Sequence, residues 1–406
     1  MMLPGLDNMK YAVLIGDGMG DYPMAELGGK TVLEAANTPN MDWVATQGRG
    51  GLVQTVPSSM KPGSDVANME LMGHDTTKSF TGRAVFEALS MGRHLAPGDI
   101  AFRANFVTLE NGRMADYSAD HITTEEAEEL IGLIDERLGS DTVHFYPGVS
   151  YRHLMVWNGG KDGMETTPPH DIIDREYGPH LPQGDGAEFI QELMDSSKEV
   201  LADTIVNQKR LATGKRPATS IWFWGQGQRL ELATFEEKYN LTGGVISAVD
   251  LIKGIGVAVG LKSVFVPGAT GYIDTNFEGK AEAALKILEK DDFVYLHVEA
   301  PDEAGHIGDT AMKIKAIEDF DHRVVGTILH SQKARNDMAV LVACDHRTPL
   351  IKRTHTREPV PYVYCGPGIE KDSMTCYTER DAEENGMDVI RGHELLGKFF
   401  GECVTK

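Results

Sequence analysis

Cysteine is scarce in this sequence, and the few cysteines present form no recognisable pair. The four residues, Cys344, Cys365, Cys376 and Cys403, all lie towards the C-terminal end, and none belongs to a Cys-x-x-Cys motif. This pattern disfavours both a disulfide framework and a thiolate zinc site. It is typical of a protein from a reducing compartment, so we expect a cytoplasmic location.

Long hydrophobic runs are also lacking. The most apolar long window, residues 243–261, contains Asp250, Lys253 and several glycines, and it predicts a core helix and turn rather than a membrane span. The chain reaches a strand-like segment by Tyr11 without a basic and then apolar leader, so secretion is not expected. These features predict a soluble protein with no membrane partner.

Positive charge is in deficit. The 39 Lys and Arg residues are outnumbered by 61 Asp and Glu residues, which gives a formal net charge of −22. Because such a surface repels polyanions on average, we expect no nucleic-acid partner. A small phosphorylated molecule can still bind where metal ions or clustered Arg and Lys reverse the local field.

The hydrophobic residues that are present predict a large α/β protein. They make up 41% of 406 residues, which is enough for a sizeable core and two domains. Helical periodicity separates short apolar runs that end in polar or Gly-rich turns, and this alternation is typical of a mainly parallel sheet in a three-layer sandwich. The runs are Tyr11–Ile15, Ile221–Trp224, Val264–Val266, Phe293–Val298 and Met338–Ala343.

The interval 98–217 has a different pattern. Two pairs of strand-like segments flank a strong helical segment, Thr123–Leu138, in the order β-β-α-β-β. The strand-like segments are Ala101–Thr108, Arg113–Tyr117, Val143–Tyr146 and Tyr151–Trp157. We therefore predict a catalytic domain formed by residues 1–97 and 218–406, and a smaller inserted α+β domain formed by residues 98–217.

Acidic residues follow three of the predicted parallel strands. They are Asp17, Asp302 and Asp345, and ligand sites in open parallel sheets lie beyond these carboxyl ends. One Asp at a strand end is often a helix N-cap and a lone His is usually structural. Three strand ends with imidazole partners are better explained by a metal site, and the mixed donors suit zinc or manganese better than calcium. The partners are His306, four residues after Asp302, together with His346 and His355.

Ser64 is the candidate nucleophile. Pro62 and Gly63 interrupt the chain just before a helical pattern, which places Ser64 at or near a helix N-terminus. A plain N-cap serine is one interpretation. The other is a nucleophile whose anionic form is stabilised by the free amides of the helix and activated by a metal.

Several motifs resemble those of the archaeal-type cofactor-independent phosphoglycerate mutases, a family of the alkaline phosphatase superfamily. The resemblance runs in order over nearly the whole chain. The motifs are Gly16–Asp21, Asn37–Asp42, Pro62–Asp65, Thr81–Arg83, Gly268–Gly271 and Asp345–Pro349.

The resemblance implies an alkaline-phosphatase-like sandwich that holds two divalent ions, Mn²⁺ or Zn²⁺, and no organic cofactor. One ion would be bound by Asp302, His306 and His355. The other would be bound by Asp17, Asp345, His346 and the Ser64 oxygen. In this mechanism Ser64 accepts the phosphoryl group of 3-phosphoglycerate and returns it to the 2-hydroxyl, while the inserted domain excludes water as a lid.

A lid of this kind must also bind the anionic groups of the substrate. Arg83, Arg103 and Arg152 are the candidates, because Arg binds carboxylate and phosphate in a bidentate manner. For each of them a structural or surface role is the alternative interpretation.

Some segments depart from the mutase pattern and leave the phosphoryl acceptor open. Residues 145–153, 168–171, 222–227 and 299–306 look closer to a bacterial branch of the family that has been proposed to act as homoserine kinase, with ATP as donor. The sequence contains no GxxxxGK[ST] phosphate loop. A metal-dependent phosphatase with an open site is a third hypothesis, and a non-enzymatic binding protein with an inert metal set is a fourth.

Overall fold

The computed structural model describes residues 9–333 and 337–403. These residues form two compact units. The first consists of the chain up to Phe80 and from Leu232 onward, and the second is the continuous segment Thr81–Glu231. The predicted inserted segment 98–217 lies within the second unit. No helix of the described chain is long and apolar enough to cross a membrane.

Fifteen strands are numbered here in chain order. They are β1 Lys10–Gly16, β2 Arg49–Gln54, β3 Ile100–Glu110, β4 Arg113–Asp116, β5 Val143–Tyr146, β6 Arg152–Trp157, β7 Met164–Glu165, β8 Gln183–Gly184, β9 Ser220–Gln228, β10 Gly243–Ile246, β11 Lys262–Ser263, β12 Phe293–Val298, β13 Met338–Cys344, β14 Val360–Cys365 and β15 Met387–Arg391.

Sixteen α-helices are numbered in the same way. They are α1 Val32–Ala35, α2 Pro39–Gln47, α3 Ser64–Leu71, α4 Thr76–Ser79, α5 Ala84–Ser90, α6 Thr124–Leu138, α7 Ala187–Ala202, α8 Ile205–Ala212, α9 Phe235–Tyr239, α10 Asp250–Ala258, α11 Phe277–Leu288, α12 Ala300–Ile307, α13 Thr310–Asp319, α14 Gly326–Lys333, α15 Glu379–Asn385 and α16 Gly392–Glu402. A π-helical segment, Phe320–Val325, joins α13 to α14.

The first unit is built on an eight-stranded sheet with the order β11-β10-β12-β1-β13-β14-β2-β15. The pairings are parallel except for those of β14 with β13 and with β2. Strands β1, β12 and β13 lie at the centre and are almost entirely buried, which explains why their sequences are apolar on both faces. The predicted α/β class and mainly parallel sheet are therefore confirmed.

The second unit has an antiparallel sheet in which β3 pairs with β4, β6 and β9, while β5 pairs with β6. Helix α6 begins with a capping box in which Thr123 and Glu126 exchange hydrogen bonds. Buried residues of this sheet, such as Phe102, Phe106 and Trp222, form a hydrophobic core within the unit. The four predicted strands and the predicted helix of this region are confirmed.

Two predictions about individual segments are wrong, and a third is incomplete. The run Ile221–Trp224 lies in β9 and pairs antiparallel with β3, so it is not a strand of the parallel sheet. No strand covers Val264–Val266, because the edge strand β11 ends at Ser263. The window 243–261 contains the predicted core helix, α10, but it begins with an unpredicted parallel strand, β10, in which Gly243 lets the chain approach Phe293 of β12 closely.

Candidate metal centre

The order of the central strands brings the three acidic loops together. Strand β1 lies between β12 and β13, and each of the three runs parallel to its neighbour. Asp17 follows β1, helix α12 with Asp302 follows β12, and Asp345 follows β13. Because parallel strands end at the same edge, the three carboxylates meet beyond the carboxyl edge of the sheet.

The first cluster contains Asp302, His306 and His355. His306 Nε2 lies 3.1 Å from Asp302 Oδ2, and His355 Nε2 lies 3.5 Å from Asp302 Oδ1. The two imidazole Nε2 atoms are 3.0 Å apart. His306 Nδ1 contacts the carbonyl oxygen of Arg353 at 3.0 Å, an arrangement that leaves Nε2 for a metal ion.

The second cluster contains Asp17, Asp345 and His346, whose ligand atoms all lie within 4.8 Å of one another. His346 Nε2 is 3.4 Å from Asp17 Oδ1 and 3.6 Å from Asp345 Oδ2. One ligand atom of His346 is also within 4.8 Å of ligand atoms of Asp302 and His355, so this imidazole lies next to both clusters.

The carboxylate of Asp17, in the second cluster, is buried close to other carboxylates. Asp17 is buried, and its Oδ1 has no hydrogen-bond partner among residues 9–333 and 337–403. Burial, together with the charges of Asp345 and Asp302, raises the pKa of Asp17 well above its usual value. A buried carboxylate in this situation requires a cation, and the mixture of carboxylate and imidazole donors fits a divalent transition-metal ion.

Asp345 is held by donors from several directions. Its Oδ1 accepts hydrogen bonds from the backbone amides of Gly18 and His346, and its Oδ2 accepts one from Asn68 Nδ2. Burial alone would raise the pKa of Asp345, but the imidazoles of His346 and His297 and the Gly18 amide lower it below its usual value. These contacts favour the ionised form of Asp345 and fix the orientation of this candidate ligand.

Ser64 lies directly beside these clusters. It is the first residue of α3, and the N-cap position belongs to Gly63, which has no side chain to offer. The Ser64 hydroxyl instead contacts His346 Nε2 at 3.0 Å. The interpretation of Ser64 as a plain N-cap is therefore wrong, and the structure brings the candidate nucleophile to the candidate metal ligands.

Three neighbours that the sequence did not indicate hold the site in place. Asn68 Nδ2 donates to the Ser64 carbonyl oxygen at 2.9 Å as well as to Asp345, and its Oδ1 accepts a hydrogen bond from Tyr295 at 2.6 Å. Thr348 donates to Asp302 Oδ1. Asn68 and Tyr295 are polar residues on elements that are otherwise core, and Thr348 lies in the loop after β13. A single sequence contains no signal that pairs any of them with the site.

A buried histidine, His297, was also missed. It occupies the fifth position of the otherwise apolar strand β12, and that interruption was a visible signal. Burial lowers the pKa of His297, but contacts with Asp345 and Glu299 outweigh burial and raise it to about 9. Glu299 in turn forms a buried ion pair with Lys280 at 2.6 Å.

A further group of possible metal ligands consists of Glu70, Asp75 and His393. Glu70 Oε1 accepts hydrogen bonds from Thr76, and Oε2 accepts one from the His393 amide and contacts His393 Nδ1 at 2.8 Å. Because both Glu70 oxygens already have protein donors, this group is explained by local structure.

The three candidate arginines are all in the second unit. Arg103 is buried, contacts Glu87 at 2.9 Å and stacks on Trp224 with a cation-to-ring distance of 4.1 Å. Burial lowers the pKa of Arg103 to about 10, and the positive charges of Arg83 and Arg152 contribute to the shift. Arg83 Nε is buried without a hydrogen-bond partner in the described part of the chain. The unit therefore gathers cationic groups that are only partly neutralised.

Comparison with known proteins identifies the family of the chain. The family model described as 2,3-bisphosphoglycerate-independent phosphoglycerate mutase matches residues 45–207. A protein of Geobacter sulfurreducens named as a probable 2,3-bisphosphoglycerate-independent phosphoglycerate mutase is 53% identical over 393 residues, or 96% of this chain and 98% of the relative. The 2,3-bisphosphoglycerate-independent phosphoglycerate mutase of Methanosarcina acetivorans is 50% identical over 394 residues, or 96% of this chain and 99% of the relative.

Solved structures show the same fold. The PH0037 protein from Pyrococcus horikoshii has a TM-score of 0.83 and 30% identity, covering 98% of this chain and 97% of that one. The cofactor-independent phosphoglycerate mutase from Thermoplasma acidophilum has a TM-score of 0.68 and 24% identity, covering 97% and 100%. The comparisons give no support to the homoserine kinase alternative. The chain belongs to the family of 2,3-bisphosphoglycerate-independent phosphoglycerate mutases.

Proposed function

We propose that this protein interconverts 3-phosphoglycerate and 2-phosphoglycerate without 2,3-bisphosphoglycerate, through a phosphoserine on Ser64. The observation that carries the proposal is the 3.0 Å contact between Ser64 Oγ and His346 Nε2, at the meeting point of two carboxylate and imidazole clusters. The names of relatives at about half identity over nearly the whole chain support the choice of substrate.

The proposed site holds two divalent ions. Asp302, His306 and His355 would bind one, while Asp17, Asp345, His346 and Ser64 would bind the other. Manganese and zinc are the proposed identities, because imidazole and carboxylate donors occur together. When bound, the ions would lower the pKa of the serine hydroxyl and offset the charge of the transferred phosphoryl group.

The proposed reaction has two balanced transfers. In the first, a bond forms between Ser64 Oγ and phosphorus while the bond from phosphorus to the glycerate 3-oxygen breaks. The serine hydroxyl loses its proton and the departing 3-oxygen gains one. In the second, the glycerate 2-hydroxyl loses its proton and takes the phosphoryl group, and Ser64 regains its hydroxyl. No water is consumed, so water must be kept from the phosphoserine.

The second unit is proposed to bind the substrate anion and to exclude water. Arg83, Arg103 and Arg152 are the proposed contacts for its carboxylate and phosphate. The supporting observations are Arg83 Nε, which has no hydrogen-bond partner among the described residues, and the lowered pKa of Arg103, which is caused by burial with a contribution from the charges of Arg83 and Arg152. Their loss should raise KM more than it lowers kcat if the contacts serve binding throughout the reaction.

The test is a product analysis by phosphorus NMR. Full-length protein is incubated with Mn²⁺ and either 3-phosphoglycerate alone or homoserine with ATP. We expect 2-phosphoglycerate from the first mixture in the absence of nucleotide and of 2,3-bisphosphoglycerate, and no phosphohomoserine from the second.

Two outcomes would overturn the proposal. Phosphohomoserine together with ADP would identify a kinase. Free phosphate from 3-phosphoglycerate, with no 2-phosphoglycerate at any time point, would identify a phosphatase. A parallel reaction with the Ser64→Ala variant controls for contaminating mutase from the expression host.

A further inference from the structure

The acidic ligands of the second cluster rest against a buried imidazole that the proposed reaction does not use. His297 Nε2 lies 3.5 Å from Asp17 Oδ2 and 3.6 Å from Asp345 Oδ2. The side chain is fully buried, and neither ring nitrogen has a hydrogen-bond partner within the described ranges. The other Asp17 oxygen, Oδ1, lies 3.4 Å from His346 Nε2 and has no hydrogen-bond donor in the part of the chain that the structure describes.

The opposite edge of the same imidazole faces a third carboxylate, that of Glu299. His297 Nδ1 lies 3.4 Å from Glu299 Oε1. Glu299 is held by Lys280 Nζ at 2.6 Å, Ser247 Oγ at 2.5 Å and the Ala248 amide at 2.8 Å. Lys280 also donates to the carbonyl oxygen of His297 at 3.0 Å, so this cation holds both the backbone and the carboxylate partner of the histidine.

From this chain of contacts we infer that His297 is a positioning residue for the ion of the Asp17 cluster, anchored from behind by Glu299 and Lys280. The imidazole is packed between carboxylates on two sides, with Nε2 3.5 Å from Asp17 and 3.6 Å from Asp345 and with Nδ1 3.4 Å from Glu299. Contact with Asp17 Oδ2 and Asp345 Oδ2 fixes the rotation of these carboxylates and leaves Asp17 Oδ1 directed towards His346. Groups behind the ligands of a metal commonly change its affinity tenfold to a hundredfold when removed.

The inference deepens the proposed function, because it concerns the metal centre on which that function rests. The inference predicts that the loss of His297 affects only one of the two metal sites. Both acidic contacts of His297 Nε2 belong to the cluster of Asp17, Asp345 and His346, so removal of the imidazole should weaken one of two ions and leave the ion at Asp302, His306 and His355 in place.

The test is metal binding to the full-length protein. Metal-free wild type and the His297→Leu variant are titrated with Mn²⁺ by calorimetry, and bound metal is counted by elemental analysis. We expect one of the two dissociation constants to rise tenfold to a hundredfold in the variant, with the other unchanged within about twofold. The two proteins are also compared by electron paramagnetic resonance with two equivalents of Mn²⁺, at a concentration that fills the tighter site of the variant but not its weakened site. The variant should then show isolated ions, and the wild type should show a spin-coupled pair.

Two further variants distinguish positioning from general destabilisation. His297→Gln retains an amide donor on the side of Asp17 and Asp345, and it should recover part of the lost affinity. His74→Leu removes a buried imidazole outside both clusters and should leave both dissociation constants unchanged. If His297→Leu does not fold, Glu299→Gln, which removes the anchoring charge, undergoes the same titration with the same expected selectivity.

The outcomes decide the inference independently of mutase activity. Unchanged affinities in folded His297→Leu, equal weakening of both sites, or a wild type that binds fewer than two ions would each overturn it. A wild type that binds two ions with the expected selective response, but forms no 2-phosphoglycerate, would overturn the proposed function and support the inference.

Discussion

At the scale of single residues, substitution of Ser64 distinguishes a covalent mechanism from one in which the metal site acts without a phosphoserine. Because its hydroxyl contacts His346 Nε2 and makes no helix cap, Ser64→Ala should leave the fold intact. We expect turnover to fall by at least about a thousandfold, as when a nucleophile is removed from other covalent enzymes. Activity is measured by conversion of 3-phosphoglycerate, and folding by circular dichroism.

The exposed Ser59 provides a matched control, because it lies in the loop before α3 and Ser59→Ala should retain full activity. Mass spectrometry of acid-quenched wild type should detect a phosphate on the peptide that contains Ser64. Residual turnover of one tenth or more in Ser64→Ala would exclude the phosphoserine.

Asp17 should affect stability in opposite directions with and without metal. Burial and two neighbouring carboxylates raise its folded-state pKa above that of the unfolded chain. In metal-free protein the stability linked to Asp17 is therefore present at low pH and is lost as pH rises through the folded-state pKa. Asp17→Asn, which cannot ionise, should then be more stable than wild type at neutral pH by at least about 1 kcal/mol, and the difference should shrink on acidification.

Added Mn²⁺ should reverse the order, because the wild type binds the ion more tightly and binding to the folded state raises Tm. Thermal melts at two pH values check both predictions: those with EDTA test the greater stability of the metal-free variant, and those with excess Mn²⁺ test the reversed order. A variant less stable than wild type in EDTA would contradict the argument that Asp17 carries an uncompensated charge.

At the scale of secondary-structure elements, one buried lysine joins helix α13 to two of the loops that carry candidate metal ligands. Lys313 Nζ donates to Asp21 Oδ2 at 2.9 Å, to the Gly20 carbonyl at 3.2 Å and to the Thr348 carbonyl at 2.8 Å. Lys313→Met leaves Asp21 buried and unpaired, so it should lower the free energy of unfolding by about 3–5 kcal/mol.

Lys315→Met is the matched control, since Lys315 lies on the same helix with an exposed side chain and should change stability by less than about 0.5 kcal/mol. The double variant Lys313→Met with Asp21→Asn should lose less than the sum of the two single variants, because no unpaired charge remains. Urea denaturation followed by circular dichroism measures the wild type, the three single variants and the double variant. Additive losses would show that the ion pair is not what Lys313 contributes.

Helices and strands could be predicted from the sequence where the pattern that identifies them is local, such as a run of apolar residues or helical spacing. Strands β1, β12 and β13 are apolar on both faces and end in acidic loops, so both the strands and their place in a parallel sheet followed from the pattern. The grouping of Asp302 with His306 followed from helical spacing. Helix α6 was recognisable because its capping box and its periodicity are local.

Features that depend on distant partners could not be predicted in this way. Strand β9 is as apolar as a central parallel strand, and only its pairing with β3, more than a hundred residues away, assigns it to the other sheet. The same holds for Asn68, whose contacts with Asp345 and Tyr295 join three separate elements. In the sequence His297 could be noticed only as an imidazole in an apolar strand. Its proposed positioning role depends on contacts with Glu299 and Lys280, which the sequence does not reveal.

At the scale of the whole molecule, the segment Thr81–Glu231 has the properties of an independent folding unit. It is continuous in sequence, it has its own core, and its ends meet, since Thr81 donates to the Gln228 carbonyl at 2.8 Å. The first unit, by contrast, is assembled from two separate stretches of chain. Joining the chain across such an insertion costs little, because the closure entropy of a loop grows slowly with its length.

The limits of the inserted domain can be decided with two fragments. The fragment 98–217 follows the sequence-based prediction, and the fragment 81–231 adds α5 and β9. Strand β9 contributes Trp222 and Phe223, both buried in the core, and losing such side chains costs about 3–5 kcal/mol each. That loss approaches the whole stability of a typical domain. We therefore expect 81–231 to melt cooperatively with near-ultraviolet circular dichroism from its tryptophans, and 98–217 to show neither property. Cooperative melting of 98–217 would show instead that α5 and β9 are dispensable, because the remaining strands and α6 would then form a sufficient core without them.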